Sequence, residues 1–159
     1  LDDAGVALLR EALAEIAERR AALLALPRAN LHADLFRDNV LFDGNQLSGV
    51  IDFYNACAGP MLYDLAIAVN DWCVEADGSL DAQRARALLA AYAALRPFTP
   101  AEAELWPTML RVACVRFWLS RLIAAAAFAG QDVLIKDPGE YRRKLELRRQ
   151  VELALPFAL

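Results

Sequence analysis

At 159 residues, with 58% hydrophobic and 24% charged side chains and a formal charge of -4, the chain has the makeup of one packed globular domain, not of a disordered segment. Its mildly acidic balance argues against a protein that coats a phosphate backbone, so no nucleic-acid partner is expected. Cys57, Cys73 and Cys114 are odd in number and widely spaced, which suggests neither a disulfide framework nor a zinc cluster and fits a reduced compartment. The first residues, Leu1-Asp2-Asp3, lack the basic stretch of a secretory signal, and the chain starts without methionine just ahead of a helical pattern. A cytoplasmic location and a fragment of something longer are therefore expected.

From Val6 to Leu26, apolar residues recur at three- and four-residue intervals (Leu9, Leu13, Ile16, Leu23), predicting an amphipathic helix that stops near Pro27. The β-prone runs Asn39–Phe42 and Leu47–Phe53, divided by the turn signal Asp43-Gly44-Asn45, predict one hairpin. A loop with Gly59-Pro60 leads into a largely buried helix, Met61–Ala76, which Asp77-Gly78 ends. Another helix is expected from about Leu80 to Leu95, before Pro97. Thr99, Pro100 and Glu102 carry a capping-box signature. Pro107 should break or kink the helix they open, so the long helix proper is expected from residue 107 or 108 to about Ala129. Arg111, Arg116 and Arg121 interrupt its apolar run, which excludes a membrane span there. Asp137 and Pro138 precede a last helix, Tyr141–Leu155. The expected fold class is α+β, mostly α, with about six helices and a small β-hairpin.

The only histidine and several acidic residues cluster beside that hairpin. Asp34 and Asn39 lie in the loop entering its first strand, and Asp52 at the exit of its second; antiparallel pairing brings those ends together. Two carboxylates and an amide oxygen suit a hard cation such as Mg²⁺ that also meets phosphate oxygens, so ATP with Mg²⁺ is the expected ligand. Phosphoryl transfer also needs a carboxylate that orients the attacking hydroxyl and takes its proton, and Asp34 can serve. The spacing from His32 through Asp34 to Asn39 resembles the catalytic loop of protein kinases, and Ile51-Asp52-Phe53 resembles their metal-binding Asp-Phe-Gly element. Singly, each of these residues is more often a turn or packing residue; their combination points to chemistry.

The stretch His32–Cys73, HADLFRDNVLFDGNQLSGVIDFYNACAGPMLYDLAIAVNDWC, resembles the C-terminal lobe of the aminoglycoside/choline phosphotransferase superfamily, which shares the protein kinase fold. Within it the similarity is greatest to the homoserine kinases. Asp77–Leu80, Arg116–Leu122 and Lys136–Pro138 with Glu140-Tyr141 extend the resemblance over nearly the whole chain. It implies a protein-kinase-like C-terminal lobe over residues 1–159, with Asp34 as catalytic base, His32 as the orienting residue of the catalytic loop, and Asn39 and Asp52 as Mg²⁺ ligands. Asp64 would brace the catalytic loop; a first-turn aspartate favoured by the helix dipole is the alternative. The implied substrate is a small amino alcohol, L-homoserine, phosphorylated for threonine biosynthesis. Arg116 or Arg121 would hold its carboxylate and Asp71 its ammonium, with Tyr54, Asn55 and Trp118 lining the pocket.

At position 33 the superfamily usually has glycine. Ala33 is tolerated there at negative φ and strained at positive φ. The superfamily's kinases also carry an N-terminal lobe with a sheet, a phosphate-covering loop and a lysine, and nothing ahead of Val6 could supply them. A missing N-terminal lobe or a second chain is therefore expected to complete the nucleotide cleft, and these 159 residues alone to bind ATP weakly and turn over poorly. The alternatives are a related kinase acting on choline, an aminoglycoside or methylthioribose, and a non-catalytic scaffold derived from such a lobe. A choline pocket would want an aromatic cage, for which Tyr54, Trp72, Trp106 and Trp118 are the candidates.

Overall fold

The computed structural model describes residues 1–156. In chain order its elements are α1 (Asp3–Leu24), β1 (Arg28–Leu31), β2 (Val40–Asp43), β3 (Gln46–Val50), β4 (Cys57–Pro60), α2 (Met61–Trp72), α3 (Ala82–Leu95), α4 (Pro100–Ala127) and α5 (Pro138–Arg148). Five α-helices thus stand among the described residues where about six were expected, and the class is α+β, mostly α.

Four of the five described helices start where a side chain satisfies free N–H groups; α2, entered from Pro60, has no such cap. Asp2 accepts from Gly5 N at 2.8 Å, Asp81 from Gln83 N at 2.9 Å, and Asp137 from Gly139 N at 2.8 Å. Thr99 and Glu102 complete the capping box of α4, with Pro100 at its first position. α4 is the centre of the fold: α1, α2 and α5 all pack against it. Trp106, Leu110, Ala113, Cys114 and Trp118 of α4 join Ile67 and Val69 of α2 and Tyr141 and Leu145 of α5 in one buried core.

Three boundaries differ from the sequence expectation. α4 continues unbroken through Pro107. That proline removes one backbone bond in the second turn, while Leu105, Trp106, Met109 and Leu110 around it are all buried, and their packing holds the axis together. α2 ends at Trp72 instead of Ala76; the chain beyond turns at Gly78 (φ 87°) and bridges Val74 back to Leu80. α5 ends at Arg148, whose carbonyl accepts Arg111 Nη1 at 3.1 Å, and the following stretch tucks Leu153 into the core without helical structure.

The strands form two antiparallel ribbons, not one. β2 and β3 make the expected hairpin, with Gly44 at φ 58° as the first of its two loop residues and a bulge between Leu41 and Phe42. β1 pairs with β4, Arg28 opposite Pro60 and Leu31 opposite Cys57, so this ribbon encloses the hairpin in sequence. The segments 32–39 and 51–56 connect the two ribbons and run past each other.

Candidate active site at the junction of two ribbons

Register decides which residues meet at this junction. Leu31 lies opposite Cys57 and Val40 opposite Val50, so the two connecting segments start and finish as neighbours. They are stitched together: His32 Nε2 lies 2.8 Å from Ile51 O, and Ile51 N donates to Asn39 O at 3.0 Å. His32 is buried against the ring of Phe53, centroids 4.6 Å apart, so its imidazole serves as an internal spacer between the segments.

Helix α2 holds the first segment from behind. Asp64 accepts His32 N at 2.8 Å and Ala33 N at 2.7 Å, one backbone donor on each carboxylate oxygen. Asp71, seven residues on and therefore on the same helix face, accepts Arg37 N at 2.8 Å and Arg37 Nε at 3.3 Å. Trp72 Nε1 donates to Leu35 O at 3.2 Å. With its amide groups tied down, the loop turns Asp34 and Asn39 outward to one side.

Asp34, Asn39, Asp52, Tyr54 and Asn55 line an open cleft of about 340 Å³, whose other walls are α4, through Arg116, Ser120, Arg121 and Ala124, and the segment Val133–Lys136. Partial burial raises the pKa of Asp34, and the charge of nearby Asp52 raises it further, against the hydrogen bond from Asn39. Asn39 Nδ2 donates to Asp34 O at 2.8 Å and approaches Asp34 Oδ2 at 3.4 Å. Its amide is thereby oriented with the nitrogen toward Asp34 and Oδ1 left as an acceptor. Two mutually repelling carboxylates and an oriented amide oxygen are a donor set that fits a hard divalent cation. Among the described residues no three His, Cys, Asp or Glu side chains group as a metal site, so this set depends on the amide.

Ala33 and Asp52 are the two non-glycine residues with positive φ among those described, at 61° and 67°, and both belong to this junction. Strained backbone of this kind gathers at functional sites, where surrounding structure enforces it. The strain condition set for Ala33 is met.

Other expected pocket residues fall elsewhere. Trp118 is 1% exposed in the core and does not reach the cleft. Two residues along a helix is a rotation of about 200°, so Trp118 faces away when Arg116 faces the cleft. Asp71 is spent on Arg37, with 13% of its side chain exposed, and is not on the cleft wall. Arg121 is on the wall but engaged: Nη1 meets Asp137 O at 2.9 Å and Glu140 Oε2 at 2.6 Å, and the guanidinium lies over the Tyr141 ring. Of the aromatic-cage candidates only Tyr54 lines the cleft, since Trp106 is buried in the core and Trp72 bonds the back of the loop. Ser120 and Lys136, which sequence reading passed over, are on the wall. A larger groove of about 430 Å³ between α1, α4 and α5 holds Glu11, Glu15, Arg111 and Arg149, which pair among themselves and leave no reactive group free.

Residues 1–98 match the phosphotransferase enzyme family. The chain belongs to that family. Among curated members it is similar to the homoserine kinase of Pseudomonas aeruginosa (strain UCBPP-PA14), 74% identical over 153 residues, covering 96% of this chain and 48% of that protein. The homoserine kinase of Methylobacillus flagellatus is 59% identical over 122 residues, 76% of this chain and 38% of that protein. That of Brucella anthropi is 44% identical over 154 residues, 96% and 47%. The chain thus spans about half the length of the curated relatives it matches. No described helix of this phosphotransferase chain is long and apolar enough to cross a membrane.

Proposed function

We propose that the protein containing this chain transfers the γ-phosphoryl group of ATP to the hydroxyl of L-homoserine, and that residues 1–159 form the kinase-like C-terminal lobe that holds acceptor and metal. The observation carrying this reading is that Asp34, Asn39 and Asp52 share one cleft in a chain 74% identical to a homoserine kinase. The rest of the full-length protein would cover the nucleotide.

Asp34 orients the acceptor hydroxyl and takes its proton at the carboxylate. Its pKa, raised by partial burial and by the charge of Asp52, makes it a stronger base than an ordinary aspartate. Asn39, through Oδ1, and Asp52 would hold Mg²⁺, which supplies charge neutralisation for the phosphates. His32 and Asp64 fix the loop without touching substrate. A choline-type acceptor is disfavoured because three of the four cage aromatics lie away from the cleft.

Full-length protein assayed for acceptor-dependent ADP release with homoserine, choline and an aminoglycoside tests the reading. Homoserine should be the preferred acceptor, with turnover abolished by EDTA and restored by Mg²⁺. Asp34→Asn should lower kcat by about 10² to 10⁴ with an unchanged circular dichroism spectrum. Preference for choline or an aminoglycoside, or full turnover by the variant, overturns it.

A further inference from the structure

Three cationic side chains line the cleft, and two are already committed. Arg121 is held by Asp137 O, Glu140 and the Tyr141 ring. Lys136 pairs with Asp38, Nζ to Oδ2 at 2.9 Å, and lies over the Phe36 ring. Arg116 has no hydrogen-bonded or ionic partner among the described residues; its guanidinium carbon lies 5.6 Å from the Phe117 ring centroid. Ser120 and Ala124 follow Arg116 at intervals of four and line the same cleft, so one stripe of α4 offers a guanidinium, a hydroxyl and then a methyl group. The Ser120 hydroxyl likewise makes no hydrogen bond among the described residues, and both groups are donors.

This stripe stands across the cleft from the junction that carries Asp34. Burial pushes the Tyr63 hydroxyl up to about 12, while the charges of Arg116 and Asp34 act on it in opposite directions, so both lie within electrostatic reach of one phenol.

We propose that Arg116 and Ser120 form an anion subsite for the carboxylate of the acceptor, and that this pair selects amino-acid alcohols over amino alcohols lacking a carboxylate. The inference rests on the kinase reading above. It requires that the acceptor be anionic at the end remote from its hydroxyl. A planar fork with no internal partner is suited to a bidentate carboxylate, and the neighbouring hydroxyl adds a third donor.

The experiment uses full-length enzyme and the ratio of kcat/KM for homoserine to that for 3-aminopropanol, its decarboxylated counterpart. Arg116→Ala should reduce this ratio about 10- to 100-fold, the loss of a charge-assisted pair, mainly through KM for homoserine. Arg116→Lys should recover part of it and Ser120→Ala should reduce it severalfold. Both side chains lie on the cleft wall outside the core, so the variants should keep the wild-type melting temperature. An unchanged ratio in Arg116→Ala, with homoserine still the wild-type acceptor, overturns the subsite alone. Should the wild type prefer another carboxylate-bearing alcohol and Arg116→Ala abolish that preference, the subsite stands and homoserine does not. A wild type that favours acceptors without a carboxylate overturns both.

Discussion

Ala33 carries a side chain in a backbone conformation that glycine adopts freely. At φ 61° its Cβ crowds the following carbonyl, at a cost of about 1–2 kcal/mol, and its N–H is held by Asp64 so that the residue cannot relax away. Ala33→Gly should therefore stabilise the chain by about 0.5–1 kcal/mol, the relief exceeding the added freedom of the unfolded state. Urea titration checks this, with a higher midpoint at unchanged slope expected; a lower midpoint would mean that the loop carries no such strain. At this scale the sequence was most legible where chemistry and spacing coincide. Asp34, Asn39 and Asp52 are polar residues at the ends of a recognisable hairpin, so their convergence follows from antiparallel pairing. Trp118 was not legible, because α4 is buried on several sides and apolar periodicity alone does not say which side borders the cleft.

Between residues and fold, α2 works as a brace. Asp64 and Asp71 stand two turns apart on one face and between them hold three backbone N–H groups of the segment 32–39. Asp64→Ala leaves two part-buried donors without their acceptor, which should lower stability by about 2–3 kcal/mol. Amide hydrogen exchange should localise the effect, with the His32 and Ala33 amides losing protection while those of Leu110 and Ala113 in α4 keep theirs. Equal loss everywhere would show that Asp64 supports the whole fold and not the loop. The seven-residue spacing of the two aspartates was visible in the sequence, yet Asp71 read as a substrate group because nothing local tied it to Arg37. The β1–β4 ribbon was hidden for a related reason. Cys57-Ala58-Gly59-Pro60 has little strand propensity, and the pairing joins segments about thirty residues apart, so neither strand announces itself.

Across the whole molecule, α1 is fastened to the centre by charge as well as by Leu8 and Ala12. Glu15 of α1 accepts Arg111 Nε at 2.8 Å and Thr108 Oγ1 at 2.7 Å, and it meets Arg111 Nη2 too; the same guanidinium reaches Arg148 O at the end of α5. One arginine thereby ties three helices, α1, α4 and α5. Burial acts to raise the Glu15 pKa, but the hydrogen bonds from Arg111 and Thr108 and the arginine's charge outweigh it, so the group stays below the ordinary glutamate value. The folded chain then binds this proton less tightly than the unfolded chain. Its stabilising contribution is present above the unfolded pKa of about 4.3 and is lost as pH falls through the depressed folded value. Glu140, also held below its ordinary value against burial by Arg121 and Lys144, adds acid sensitivity of the same sign at the α4–α5 contact. Glu15→Gln keeps the shape and removes the charge. At pH 7 it should be about 1–2 kcal/mol less stable than wild type. In melting curves taken from pH 7 down to pH 3, the gap between the two proteins should narrow below about pH 4 as wild-type Glu15 takes up its proton. A gap independent of pH would assign the loss to packing and remove charge from the account of how α1 is held.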